Sequence, residues 1–466
     1  MKLFALSRRI TSSAVAWSFL VTALRTGGAV LVLPLILRLL PTEQLGMWYV
    51  FGSIGSFAAL LDVGIGPMAT RVAGYFWAGA KRVQAFGIHA GEENAPDGQP
   101  NYSGLRDLAA TLRRYYKFLG VSVFLVMFFG GGAWVWYKSR GLGSQTTIRG
   151  AYLIWCLAAL LNFTGDLWPY LLSGIGEVLK AQQILFASLV VYYTFAAAGL
   201  LLGTRLLALV GANLLMGLVM RQAGRWILQK QLAAGGGASG GEYRPELLKT
   251  IWPNAWRLAL VSLGAFLIVQ ANTLICSAFL GLKAAASYGL TMQVVMLISG
   301  LSTTWVLVKM PLINQLRAQH RNLEIADLFA RRVRLSLITY ALGALGFLLI
   351  GPWFLTWLHS KTHWIPTGPL ILLLVTQMLE MHHALYGSLV LSENRNPFLR
   401  PALASGVMIV ALSCFLTPRI GLYGMILSAA VVQAAFNNWW TVWRGITGLH
   451  VEPERYWKHF FGLKSL

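Results

Sequence analysis

Six ionisable residues stand within or at the edge of long apolar runs in this chain: Arg25, Asp62, Arg71, Asp166, Arg257 and Glu380. Moving a charge into hydrocarbon costs about 2.5–3.5 kcal/mol on insertion scales, so each should face a partner or a polar cavity. The arginines suit an anion, because a guanidinium offers phosphate or carboxylate a planar fork of donors. Arg25 lies about 16 Å along its run at 1.5 Å per residue and shares a helical face with Ser18 and Thr22. Anion binding and a buried structural ion pair both account for it. Asp62, about 12 Å from the end of its own run, lies at a similar depth and can pair with Arg25. Its neighbours Gly55, Ala58, Ala59, Gly66 and Ala69 are small, so close helix packing explains it as readily as gating does. Arg71 ends that run, either as an interfacial anchor or as a first contact for an anionic group. Arg257 follows Trp252, Pro253, Asn254, Ala255 and Trp256; it either snorkels to the interface or adds a second cation there.

The acids suit a proton or a cation. Asp166 precedes Pro169, and a proline inside a span frees a backbone carbonyl and opens a polar pocket. Glu380 stands with Gln377, His382 and His383, a group that can titrate or simply hydrogen-bond between helices. Adjacent histidines point to different helix faces, so no metal site is expected, and no cofactor. Cys156, Cys276 and Cys414 lie in apolar runs and imply no disulfide framework.

The elements that position these residues follow from composition. The chain has 466 residues, 56% hydrophobic and only 12% charged, with mean hydropathy +0.61. Soluble proteins carry roughly a quarter charged residues, so lipid is the main solvent and soluble enzyme folds are excluded. A bilayer-crossing helix needs about 20 predominantly apolar residues, and twelve stretches qualify: 14–37, 47–70, 118–137, 150–172, 182–203, 205–224, 257–280, 286–308, 335–358, 367–391, 399–417 and 421–443. The fifth and sixth are separated only by a tight turn at Gly203, Thr204 and Arg205. With both termini cytoplasmic, about 28 Lys and Arg fall inside and about 8 outside, the bias that sets orientation. That bias accounts for the net charge of +22 without nucleic acid as a partner.

The run Ala233–Gly241 reads as a flexible cytoplasmic linker within residues 231–245. It separates an N-lobe (1–230, spans one to six) from a C-lobe (246–466, spans seven to twelve). Leu112–Lys117 before span three matches Ala330–Arg334 before span nine, which supports internal repetition. Six spans per half give both lobes the same orientation, with a cleft between them. The fold class expected is an all-α polytopic membrane protein of about twelve transmembrane helices.

A resemblance sharpens this reading. Leu33, Pro34, Arg38, Pro41, Leu45, Gly46 and Trp48, followed by Leu60, Leu61, Asp62, Val63, Gly64, Ile65, Gly66 and by Ala69, Thr70, Arg71, resemble the opening two helices of the polysaccharide-export flippases. These are the O-antigen and capsule lipid-linked oligosaccharide translocases of the multidrug/oligosaccharidyl-lipid/polysaccharide exporter superfamily. Leu172–Gly176 and Ser287–Leu290 are similar to that family's pattern. The layout covers the whole chain, whereas the specific motif is confined mainly to residues 33–71.

The resemblance implies a bacterial inner-membrane protein whose lobes form a V-shaped central cleft. It implies passage of a polyprenyl-diphosphate glycan from the cytoplasmic to the periplasmic leaflet, without covalent chemistry. The head group would be held by Arg25 with Arg257 or Arg71, while Asp62, Asp166 or Glu380 would serve gating or ion coupling, by H+ or Na+. Expected partners are that glycan, the bilayer and other polysaccharide-assembly proteins. One alternative is a multidrug or small-solute antiporter on the same fold, against which a cleft arginine argues by repelling cationic substrates. Another is a membrane polymerase or glycosyltransferase. Such an enzyme needs a sizeable external loop with catalytic groups, whereas the longest here, Lys138–Arg149, carries no acid.

Overall fold

The computed structural model describes residues 13–60, 65–81, 83, 99–233, 240–393 and 397–461. Helix α1 (Ala14–Leu39) begins where the Ser13 hydroxyl accepts the Ala16 N–H at 3.3 Å, satisfying an amide that a helix start leaves unpaired. Helices α2 (Thr42–Ala59) and α3 (Ile65–Trp77) divide the stretch expected as a single span, 47–70. Asp62 lies between them, outside the described residues. Helix α4 (Tyr102–Val126) opens on Asn101, whose side-chain oxygen accepts the Gly104 N–H at 2.9 Å while its amide donates to the Ala80 carbonyl at 2.9 Å. A π-helical turn, Met127–Gly131, leads into α5 (Gly132–Lys138). Such a turn disturbs the helical hydrogen-bond register; the Tyr152 hydroxyl donates to the Met127 carbonyl at 2.7 Å and takes up one group it leaves.

Helices α6 (Gln145–Gly165) and α7 (Leu167–Gly174) are separated by Asp166. Pro169 has no N–H to offer the Gly165 carbonyl, and the break falls at that point. Helices α8 (Val178–Leu201) and α9 (Leu206–Ala233) are joined by the expected tight turn, with φ of 79° at Gly203 and 52° at Arg205. Glycine takes the left-handed conformation without steric cost. In this unit α9 packs along α6 and α8, and α1 along α8.

Helix α10 (Pro245–Val269) follows a short strap bound to α4. Asp107 accepts the Glu242 N–H at 2.8 Å and pairs with the Arg244 side chain at 2.7 Å, while the Thr111 hydroxyl accepts the Arg244 N–H at 2.8 Å. The chain divides into two compact units, residues 1–262 and 263–466. The boundary therefore lies within α10, beyond the glycine-rich run, because the strap ties the start of α10 to the first unit.

The second unit continues through α11 (Ala271–Phe279), α12 (Gly281–Leu307), α13 (Met310–Ala318) and α14 (Asn322–Trp357). It ends with α15 (Thr367–Leu391), α16 (Leu399–Ile420), α17 (Leu422–Ala435), α18 (Asn437–Thr447) and α19 (Pro453–Phe461). One core gathers Val306, Ile313, Phe329, Leu385, Tyr386 and Tyr456. Helix α19 is fastened to it by the Tyr386–Tyr456 hydroxyl pair at 2.7 Å, and to α14 by Asp327, which meets His459 at 3.1 Å and Arg455 at 3.6 Å.

Among the described residues every regular element is a helix, and nine helical stretches are long and apolar enough to cross a membrane. The protein is a multi-pass membrane protein of all-α class. Of the twelve stretches expected, 47–70 and 421–443 are each split between two shorter helices, and 367–391 is the single helix α15, made less apolar by Gln377, Glu380, His382 and His383. The basic junctions at 112–117 and 330–334 lie in helical stretches of 37 and 36 residues respectively.

Candidate functional site

Two polar centres are built inside apolar helices, one in each unit. In the first, the break at Asp166 faces a cavity of about 340 Å³ lined also by Ser56, Trp155, Asn162, Asn213 and Met216. Asn162 sits one helical turn before Asp166, and its carbonyl accepts the Asp166 N–H at 2.9 Å. The Asn162 side-chain amide donates to Asn213 Oδ1 on α9 at 2.6 Å and to the Ala158 carbonyl at 2.9 Å. The approach is close because α9 presents Gly217: a Cβ there would stand 3.0 Å from Asn162 Oδ1. That oxygen is buried and has no hydrogen-bond partner among the described residues. A carboxylate, two side-chain amides and a hydroxyl around one cavity form an oxygen-rich lining able to hold a small hard cation or a proton.

The second centre is built on α15. Glu380 Oε2 accepts from the Gln433 amide at 2.8 Å, and His383 Nδ1 lies 3.9 Å from the same oxygen. The other carboxylate oxygen, Oε1, is buried and has no partner among the described residues. Asn437 continues the network, its amide donating to Gln433 Oε1 at 2.6 Å and to the Ser405 hydroxyl at 2.9 Å. Gln433 and Asn437 flank the point where α17 gives way to α18, at Phe436 with φ −143° and ψ −64°. His382 turns away from this network and meets Tyr386 edge-on at 5.0 Å, so the two histidines face different ways as their spacing requires. A carboxylate with one oxygen hydrogen-bonded and the other unmatched is set to take up a proton or a cation.

The arginines are placed differently. Arg25 is exposed two turns beyond Ser18, and no acid pairs with it among the described residues. Its carbonyl accepts the Tyr193 hydroxyl of α8 at 2.7 Å, which fixes the backbone there. Ser18 and Thr22, on the same face, bond back to the carbonyls of Ala14 and Ser18 at 3.0 and 2.9 Å. Arg71 is exposed on α3 with its guanidinium 5.9 Å from the Tyr75 ring centroid. Arg257 lies within α10, and its side chain falls outside the described residues, as does the whole of Asp62. Asp166 and Glu380 therefore each acquire a built surrounding.

Asn213, Ser405, Gln433 and Asn437 were not picked out from the sequence. Their signal was an amide or hydroxyl inside an apolar run, which costs free energy unless it finds a partner.

No known family's sequence profile matches this chain, and no curated protein does. Solved structures do. A multidrug resistance MATE family transporter of the MOP superfamily in its inward-facing conformation matches with TM-score 0.68 and 14% identity, over 95% of this chain and 100% of that one. An outward-facing conformation of such a transporter matches with TM-score 0.54 and 14% identity, over 95% and 97%. A MOP superfamily transporter from Pyrococcus furiosus, reported with a binding pocket of reverse polarity, matches with TM-score 0.56 and 14% identity, over 95% and 98%. The chain thus has the fold of the MATE transporters of the MOP superfamily.

Proposed function

We propose that this protein is a transporter working by alternating access. It translocates a polyprenyl-diphosphate-linked oligosaccharide from the cytoplasmic to the periplasmic leaflet of a bacterial inner membrane, with both termini cytoplasmic, for cell-surface polysaccharide assembly. Arg25 carries this reading: a guanidinium within an apolar helix, exposed and without an acidic partner among the described residues, awaits an anion. Arg71 and Arg257 are the further cations proposed for the head group. Asp62, Asp166 and Glu380 are proposed to gate or couple the cycle, with H+ or Na+ as the ion. The transporter fold supports a non-covalent role in place of an enzymatic one. Inward- and outward-facing structures of that fold support alternating access. The partners proposed are the glycan lipid, the bilayer and other polysaccharide-assembly membrane proteins, and no nucleic acid.

The same fold equally supports a multidrug antiporter, the inward- and outward-facing neighbours being named as multidrug resistance transporters. The reversed pocket polarity reported for the Pyrococcus furiosus protein means that the fold accommodates different pocket charges, and Arg25, without an acidic partner among the described residues, favours an anionic cargo here. The test is the leaflet distribution of a labelled polyprenyl-diphosphate oligosaccharide in proteoliposomes. Wild type is expected to equilibrate the label and Arg25→Ala to lose nearly all movement at unchanged protein level. Normal movement by the variant would remove the head-group assignment. Efflux of cationic drugs without glycan movement would establish the antiporter.

A further inference from the structure

The geometry points to a second anion site, in which the first unit seats the headgroup of a lipid carrying two phosphate groups. A pocket of about 280 Å³ is lined by Arg113 and Lys117 of α4 and by Arg221 and Arg225 of α9, with Thr164 and Trp168 of the α6–α7 pair completing the wall. Each basic pair is spaced by four residues, so both members of a pair lie on one helical face. Like charges at that spacing repel, and two such pairs turned toward one space repel further. Among the described residues no acid lines the pocket, and none of the four cationic side chains has a hydrogen bond or ion pair. Asp107, on the same helix as Arg113 and Lys117, pairs instead with Arg244 at 2.7 Å. Trp168, only 7% exposed, has an indole N–H with no partner among the described residues. Among the described residues the wall therefore holds four cations without an acidic partner and one spare neutral donor.

The ligand is amphipathic because the rest of the wall is apolar, with Val121, Leu160 and Leu167 beside the cations. Val121 is itself 44% exposed, and Phe118 and Leu125 of the same helix are exposed beside it, a path for acyl or prenyl chains out into lipid. One phosphodiester carries a single negative charge and leaves most of the four cations unmatched. Two phosphates bring at least two charges and enough oxygens for both guanidinium forks of α9. Basic pockets between transmembrane helices take such headgroups. Two lipid types meet this chemistry: a two-phosphate glycerophospholipid and a polyprenyl diphosphate. Arg25 and Arg71 do not line this pocket, so headgroup binding here and glycan flipping can fail separately.

The test uses purified full-length protein in neutral detergent, its melting temperature titrated with cardiolipin, polyprenyl diphosphate, phosphatidylglycerol, phosphatidylcholine and inorganic diphosphate. Cardiolipin, polyprenyl diphosphate or both should stabilise at lower concentration than phosphatidylglycerol, with the effect weakened by salt and absent for phosphatidylcholine. Whichever of the two acts identifies the source. In the double variant Arg221→Gln, Arg225→Gln the half-effective concentration should rise about tenfold or more, the loss expected for removing charge-assisted bonds. If that variant does not fold, Arg113→Gln with Lys117→Gln, both exposed, should raise it in the same direction. Equal stabilisation by phosphatidylcholine, an unchanged response in every folded variant, or full stabilisation by inorganic diphosphate at the same concentration as the lipids would overturn the assignment.

Discussion

Glu380 shows how much a single carboxylate depends on its neighbours. Among the described residues Gln433 supplies its one side-chain hydrogen bond, His383 standing off at 3.9 Å, and Gln433 in turn is held by Asn437. Replacing Gln433 by Leu removes the donor to Glu380 and the acceptor for Asn437 together. Leaving buried polar groups unmatched costs about 1–3 kcal/mol each, more when the group is charged. Gln433→Leu is therefore expected to lower the thermal midpoint in detergent clearly, whereas Gln433→Glu, which changes the charge but keeps an acceptor, should retain the contact with Asn437. A midpoint unchanged in Gln433→Leu would mean that the network carries no stability. Glu380 itself was legible in the sequence as an acid in an apolar run. Its partners were not, since Gln433 is 53 residues away in the chain and nothing local brings the two together.

The elements place chemistry by where they break. The break between α6 and α7 was legible, because Pro169 withdraws an N–H from the Gly165 carbonyl one turn earlier, and Asp166 occupies the gap. The break between α17 and α18 at Phe436 contains no proline, and only the polar pair Asn437 and Asn438 marks it. The π turn after α4 likewise has no proline; its irregularity is stabilised across the interface by Tyr152. Removing that hydroxyl tests the point: Tyr152→Phe should cost about 0.6–1.7 kcal/mol, the range of hydrogen bonds between membrane helices, and should raise amide hydrogen exchange around Met127–Gly131 without altering exchange in the second unit. Exchange that stays unchanged at the π turn would show that its register is held by packing alone.

Across the whole molecule, the two polar centres lie in separate compact units and share no residue. Their effects on stability should therefore be independent: in a cycle of Asp166→Asn and Glu380→Gln, the two shifts are expected to add within about 0.5 kcal/mol. Transport should behave otherwise. If both acids serve one cycle, either substitution alone removes most of the ion-driven rate and the double variant loses little more, since groups acting as a unit are not additive. Measured in proteoliposomes with an imposed H+ or Na+ gradient, fully multiplicative losses would mean that the acids act in separate processes.

The all-helical class, the long apolar stretches, the tight turn at Gly203 and the break at Asp166 were determined by the sequence alone, because each follows from composition or from a rule acting over a few residues. Which polar groups meet was decided only by the tertiary structure: Asn162 with Asn213, Gln433 with Glu380, and four cations of α4 and α9 around one pocket. The physical reason lies in the solvent. In water an amphipathic stripe announces the face a helix will bury, but lipid is as apolar as the protein interior, so a membrane helix carries apolar residues on every side. Its partner is chosen by small-residue contacts such as Gly217 against Asn162 and by scattered hydrogen bonds, neither of which leaves a periodic trace in the chain.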